Sequence, residues 1–335
     1  MKQGKLDNKL LEEIVFENIK YKRQEVLVRA GIGEDCATID FGEYDCVVST
    51  DPITASIKDV GRLAIHISCN DIAANGVRPT GIMLAMLLPS DITEKDIEEI
   101  MQSAGQAAES VNVEIIGGHT EITAAVNRPV IVSTALGRAI KGENRTSDEI
   151  REGDGIFVTK NVGLEGTGII ASDCVSLIDD FFSEKELSYA RKMLDEVSVV
   201  PEGIIAGELG THGMHDITEG GVLGAVWEIC ELSGLGCEIL EKQIPVDELT
   251  LKFSEVLNFD WKRLISSGSM LIVVPQGRDE EFFERFDSEN IKLSKIGTLK
   301  KKEYGRILMD GAAAVKEIEA PGRDEIYKVI ERINP

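Results

Sequence analysis

Five short stretches of this chain set carboxylates beside glycines or inside apolar runs. GIGEDCATID (31–40) places Gly31 and Gly33 just before Glu34 and Asp35. Glycine lets a turn approach a ligand closely, and carboxylates next to it suit a metal-bound phosphate. The plain alternative is an acidic β-turn entering a strand. VVSTD (47–51) ends in Thr50 and Asp51, at the C-terminal end of a β-branched run. Open α/β sheets bind ligands at such ends, although Asp51 would equally well cap the next turn. ISCNDIAANG (67–76) buries Asn70 and Asp71 in a segment apolar on almost every side. A carboxylate there must find a partner or hold a proton. Arg78 or backbone N–H groups would serve it as readily as a metal.

GGHTE (117–121) brings Gly117, Gly118, His119, Thr120 and Glu121 to the end of another strand. The two glycines predict that the strand stops there and that His119 faces a cleft. In that place it would bind a metal, contact a phosphate or move a proton. HDITEGG (215–221) ends a strand at Asp216 and opens a helix with Glu219, Gly220 and Gly221. Free N–H groups at a helix start suit an anion. An ordinary start with Thr218 as N-cap is the alternative.

Collected, the five describe a site for Mg2+ and a polyphosphate held by carboxylates. Mg2+ takes a few carboxylates together with substrate phosphates, which is the chemistry of phosphoryl transfer or of oxygen activation by ATP. GLEGTG (163–168) imitates a dinucleotide loop, but its spacing is not GxGxxG, and GxxxxGK[ST] does not occur. Rossmann and P-loop readings are therefore rejected.

The elements that must position these residues alternate between strand and helix. DCVVST (45–50) is a strand that Pro52 ends. KDVGRLAIHISCNDIAAN (58–75) is a helix with Gly76 at its C′ position and Pro79 beyond. TGIMLAMLL is a buried strand, Thr93 and Asp96 form a weak capping box, and VEIIGG and PVIVSTALG are further strands. A polar, turn-rich segment at 140–155 separates a first domain (1–145) from a second (150–335). In the second, GLEGTG reads as a loop before the helix of GIIASD. SEKELSYARKMLDEV and EGGVLGAVWEICELS are helices, SMLIVVP and RILMDG are strands, and RDEIYKVIERI closes the chain. The first residues, MKQGKLDNKLLEEIVFENIK, read as an amphipathic helix without a signal-peptide core.

The chain has 335 residues and a formal net charge of −23. That charge repels nucleic acid and anionic membranes, so neither is expected as a partner. Hydrophobic residues reach 43%, enough for a core, and no run approaches a membrane span. Six cysteines form no CxxC pair and lie mostly in apolar runs, which predicts buried thiols; the N-terminus without a signal-peptide core is what predicts a cytoplasmic protein.

GIGEDCA, STDPI, SCNDIAANG, GGHTE and HDITEGGV, in this order, resemble the AIR synthase-related (PurM-like) superfamily. The similarity spans about 31–310 and is greatest to HypE-like hydrogenase expression/formation proteins. It implies an α/β (α+β) fold of two PurM-like domains, with the N-terminal sheets forming the interface of a homodimer. It implies ATP at the cleft and Mg2+ on Asp35, Asp51 and Asp71, with Glu121 supplying a further carboxylate. Asp216 and the glycines after it would border the substrate, and a maturation-protein partner is implied. The family phosphorylates an oxygen or selenium of a small-molecule or protein-borne substrate. Two departures stand out: many relatives have GGDT where this chain has GGHT, and HypE proper ends in a cysteine where this chain ends in ERINP. A thiamine-monophosphate-kinase-like small-molecule kinase and a non-catalytic nucleotide-binding assembly protein are the competing readings.

Overall fold

The computed structural model describes residues 4–6, 8–55, 57–141, 149–311 and 314–333. Near the N-terminus, α1 (Asn8–Leu10) continues into further helical turns that end at Asn18 and bury no side chain. Two sheets follow. The first has six strands: β1 (Val26–Val28), β2 (Ala37–Asp40), β3 (Tyr44–Ile53), β4 (Pro79–Leu88), β5 (Glu114–Ile122) and β6 (Val130–Ile140). Their spatial order is β1-β2-β3-β6-β4-β5. All neighbours are antiparallel except β4 and β5, which are parallel. The parallel pair needs a crossover, supplied by α3 (Glu94–Ser110), which starts at a full Thr93–Asp96 capping box. The other helix of this domain, α2 (Ile57–Ala74), packs with α3 on one face of the sheet.

β3 runs through Pro52 instead of stopping there. Proline removes a ladder donor and is tolerated on a free strand side. β2 pairs with β3 only as far as Val48, so beyond it β3 has β6 alone. β5 differs from expectation in the same way: it continues through both glycines and His119 to Ile122. Gly118 makes this possible. Its φ is 148°, and a Cβ there would lie 1.9 Å from the Leu84 carbonyl oxygen.

The second sheet has seven strands in the order β13-β12-β9-β11-β7-β10-β8. They are β7 (Gly155–Thr159), β8 (Gly213–Asp216), β9 (Gly236–Leu240), β10 (Met270–Val274), β11 (Leu293–Lys300), β12 (Arg306–Asp310) and β13 (Ala314–Glu317). Among the described residues seven α-helices accompany it: α4 (Leu164–Asp173), α5 (Glu184–Lys192), α6 (Val200–Glu208), α7 (Gly221–Ser233), α8 (Glu248–Leu257), α9 (Asp279–Ser288) and α10 (Ile326–Ile330). GLEGTG is not a loop before α4 but its first turns. Added Cβ atoms at Gly166 and Gly168 would strike Leu264 and Leu194, so these glycines allow close helix packing.

The two halves share a core. Leu194, Val197, Val200 and Ile204 come from the second half and join the apolar cluster beneath the first sheet. Helix α6 presses against the end of α2, and a Cβ on Gly203 would lie 2.2 Å from the Ala73 carbonyl oxygen. No helix among the described residues is long and apolar enough to cross a membrane.

Replacing Gly118 with alanine forces both the backbone angle and the Leu84 contact. Gly118→Ala should lower unfolding free energy by at least about 2 kcal/mol in urea titrations. An unchanged midpoint would show that β5 does not need this close passage.

Candidate functional site

Strand alternation sorts the selected residues into two groups. On β3, Ser49 and Asp51 face the helices, while Thr50 lies on the outer face and bonds the Ser133 carbonyl and the Thr134 hydroxyl at 3.0 and 2.9 Å. His119 and Glu121 pair in register with Ala85 and Leu87 of β4, which also places them on the outer face. His119 is 70% exposed and its Nε2 stands 3.6 Å from Glu121. Thr120, Gly117 and Gly118 are exposed on the same edge strand. Within one chain His119 therefore stands on an exposed face, because β5 continues as an edge strand.

On the inner side four carboxylates meet. Asp71, 7% exposed, accepts a 2.5 Å hydrogen bond from the Ser49 hydroxyl. Arg78, an expected alternative partner, instead pairs with Glu208. Burial pushes the Asp71 carboxyl well above the usual range, and the charges of Asp216, Asp51 and Asp35 push it further. Asp35 rises to about 7, mainly through burial, with His215 opposing. Asp216 rises to about 6 for the same first reason, again opposed by His215. Asp216 is 1% exposed, and neither of its carboxylate oxygens has a hydrogen-bond partner among the described residues.

His215 stands beside these acids and was not singled out from the sequence. Its Nδ1 is 2.7 Å from the Asp216 backbone oxygen. Its Nε2 lies 3.2 Å from Glu228 and 3.6 Å from Asp35. Burial works against its charge, but Asp35, the Glu228 hydrogen bond and Asp216 outweigh it and raise the imidazole to about 10. Glu228 sits two helix turns along α7, a position invisible in the motif itself. One ligand atom each from Asp35, His215 and Asp216 lies within 4.8 Å of the others, close enough to hold a metal ion.

The glycines and Asn70 are used differently than the motifs suggest. Gly33, at φ 80°, lies beside α7 of the other half, where an added Cβ would come 3.5 Å from the Glu228 carbonyl oxygen. The Gly31 carbonyl accepts from the Glu34 N–H at 3.3 Å. Asn70 turns away from the acids and bonds the backbone at Val197 and Val199. The α7 N-terminus is occupied by the protein itself: Asp324 accepts from the Gly220 N–H at 2.7 Å. Glu219 accepts from the Lys5 N–H and the Tyr327 hydroxyl. Gly221 packs so closely that a Cβ would lie 2.6 Å from the Lys262 carbonyl oxygen. Thr218 is not the N-cap, since Gly220 holds that position in a left-handed conformation; the Thr218 hydroxyl takes the Lys5 ammonium at 3.3 Å.

The gap between the glycine loop, Ala74–Asn75 and Gly213–Met214 is about 20 Å³, room for a water but not a nucleotide. A cleft of 720 Å³ lies farther along α2, near Arg62, His66 and Arg191, and contains none of the selected residues.

These raised acids make stability fall with pH. Between the ordinary aspartate value and about 6–7, the unfolded chain has lost protons that the folded cluster retains, so the slope is negative. Asp216→Asn should leave thermal stability near pH 4 unchanged and add about 1–3 kcal/mol at pH 7.5 in the metal-free protein. Equal effects at both pH values would overturn this account.

Known proteins are similar to this chain in sequence and fold. The profile described as AIR synthase related protein, N-terminal domain, matches residues 33–139, and its C-terminal counterpart matches 151–310. A putative hydrogenase expression/formation protein of Methanocaldococcus jannaschii is 25% identical over 97% of both chains. Carbamoyl dehydratase HypE of Rhodobacter capsulatus is 25% identical, over 82% of this chain and 79% of that one. Thiamine-monophosphate kinase of Bacillus subtilis is 23% identical, over 84% and 89%. Among solved structures, a HypE–HypF complex superposes with TM-score 0.77 at 21% identity, covering 93% of this chain and 99% of that one. HypE in complex with ATP superposes at 0.70 and 21%, covering 97% of each. These structures have the two-domain PurM-like fold. By sequence profile and by fold, the chain belongs to the AIR synthase related protein family.

Proposed function

We infer that this chain is a HypE-like, ATP- and Mg2+-dependent enzyme that activates an oxygen of its substrate by phosphorylation. Asp216 carries the reading. A buried carboxylate without a hydrogen-bond partner, facing Asp35, Asp51 and Asp71, is costly unless a cation joins it. The donors are hard oxygens with one imidazole nearby, and such a set fits Mg2+. Asp35, Asp51, Asp71 and Asp216 would hold the ion, which when bound supplies charge neutralisation to a polyphosphate.

The chain's own residues do the remaining work. Ser49 orients Asp71, and Glu228 with His215 fixes the place of Asp35. No protein nucleophile is needed, because the substrate oxygen attacks phosphorus. The ATP complex of a HypE supports the nucleotide assignment, and the kinase relative keeps a small-molecule acceptor as the second reading. Six free thiols suit a reducing cytoplasm.

A homodimer is part of the reading. The outer face of the first sheet carries half-exposed Val48, Met83, Leu87, Val132 and Leu136, an apolar surface that a second copy would cover. His119, Thr120 and Glu121 lie on or beside that face, so they would reach nucleotide across the interface. A maturation-protein partner, as the HypE of the solved complex has in HypF, belongs to the same proposal.

Calorimetry of Mg-ATP should show binding that Asp71→Asn weakens at least about tenfold. Phosphate release with candidate acceptors then identifies turnover. Absence of nucleotide binding to the wild type would sink the reading; binding unchanged in Asp71→Asn would make that carboxylate structural. Met83→Lys should halve the mass measured by sedimentation, and an unaltered mass would remove the sheet face from the dimer.

A further inference from the structure

Asn70 and Asp71 are neighbours on one helix but look in different directions. Arg62, His66 and Asn70 recur at i, i+4 and i+8, so they form one stripe of α2. That stripe meets the second half of the chain: Arg62 pairs with Asp195. Asn70 is 0% exposed and uses both ends of its amide there. Its Nδ2 donates to the Val197 carbonyl at 2.8 Å, and its Oδ1 accepts from the Val199 N–H at 2.8 Å.

The same turn is held from the opposite side. The Lys160 ammonium, beyond the end of β7, donates to the Glu196 and Ser198 carbonyls at 2.9 and 2.7 Å. It also pairs with buried Glu202 of α6 at 2.8 Å. A Cβ on Gly268 would lie 2.6 Å from the Glu196 carbonyl oxygen. Four consecutive residues, 196–199, therefore have their backbone polar groups gripped from both halves. Asp71, the next residue after Asn70, faces Ser49 and the carboxylates.

We propose that Asn70 is a positioning residue that sets the spacing between the carboxylates of the first domain and Asp216 of the second, through its two hydrogen bonds to the 197–199 backbone. The motif sets Asn70 beside a carboxylate of the polyphosphate site; the geometry makes it the joint on which the two halves of the centre are registered. This role rests on the phosphoryl-transfer reading for its kinetic consequence, but not for its structural one. A misplacement of about 1 Å costs on the order of 100-fold in rate when reacting groups must be aligned. Loss of Asn70 therefore acts on turnover more than on nucleotide binding.

The test uses spin labels on exposed helix positions of the two halves, Glu109→Cys and Glu255→Cys, in a Cys46→Ser background. Distance distributions are measured for the wild type, Asn70→Ala and Lys160→Met, which loosens the same turn from the other side. Both variants should broaden a narrow wild-type distribution. For ATP turnover, Asn70→Ala should lower kcat about ten- to hundredfold with KM for Mg-ATP changed less than about threefold. An unchanged distribution in both variants overturns the joint. A rise in KM larger than the fall in kcat overturns the positioning role and makes Asn70 a ligand contact. If the wild type turns over no ATP, the enzymatic reading fails, while the distances still decide the joint.

Discussion

Four carboxylates converge on one buried place, and their mutual repulsion is the constraint around which the structure is arranged. Asp35, Asp51 and Asp71 come from the first half and Asp216 from the second. Left alone, such a cluster would hold protons or push the halves apart. Part of the answer is local: Ser49 bonds Asp71, and the His215 imidazolium stands among Asp35, Asp216 and Glu228. The Asp216 carboxylate has no hydrogen-bond partner among the described residues. The site is thus partly compensated from within and open to a cation from outside.

The rest of the answer is mechanical. Repulsion across the junction is resisted by a shared apolar core and by backbone contacts too close for any residue but glycine. Val197 and Val200 sit inside the first cluster, and Gly203 lets α6 lie on Ala73. α2 is central to both tasks. One stripe of it grips the second half, and the adjacent position carries Asp71. Rigid packing and charge placement are therefore carried by one helix, which explains why Asn70 and Asp71 stand side by side in its buried part.

Most of the elements were legible because hydrophobic period and caps speak directly. α2 ends at Ala74 with Gly76 left-handed just beyond it, as the sequence predicts, and α3 begins at the Thr93 capping box. The AIR synthase-related fold followed from the order of motifs. Strand ends were less legible: Pro52 and Gly117–Gly118 signal termination locally, yet both lie inside strands because of which neighbour each strand side has. The direction of a side chain was least legible. His119 and Asp51 look alike as strand-end polar residues, but alternation within a longer β5 sends His119 to the outer face. Asn70 could not be separated from Asp71 without knowing that residues 197–199 lie beside α2. The role of His215 is invisible in its motif, since nothing in the sequence brings Glu228 and Asp35 to it. Asp324 was equally hidden, being more than a hundred residues from the Gly220 N–H it accepts.

The open side of β5 matters before the protein is complete. The first sheet is finished once β6 emerges, while the second half is still being synthesised. A nine-residue strand with its outer edge unpaired is a template for any other strand that reaches it. On a crowded polysome, the nearest such strand is the same β5 on the next nascent chain. Such an unpaired edge is an aggregation hazard while the chain is incomplete, apart from the stability of the finished molecule.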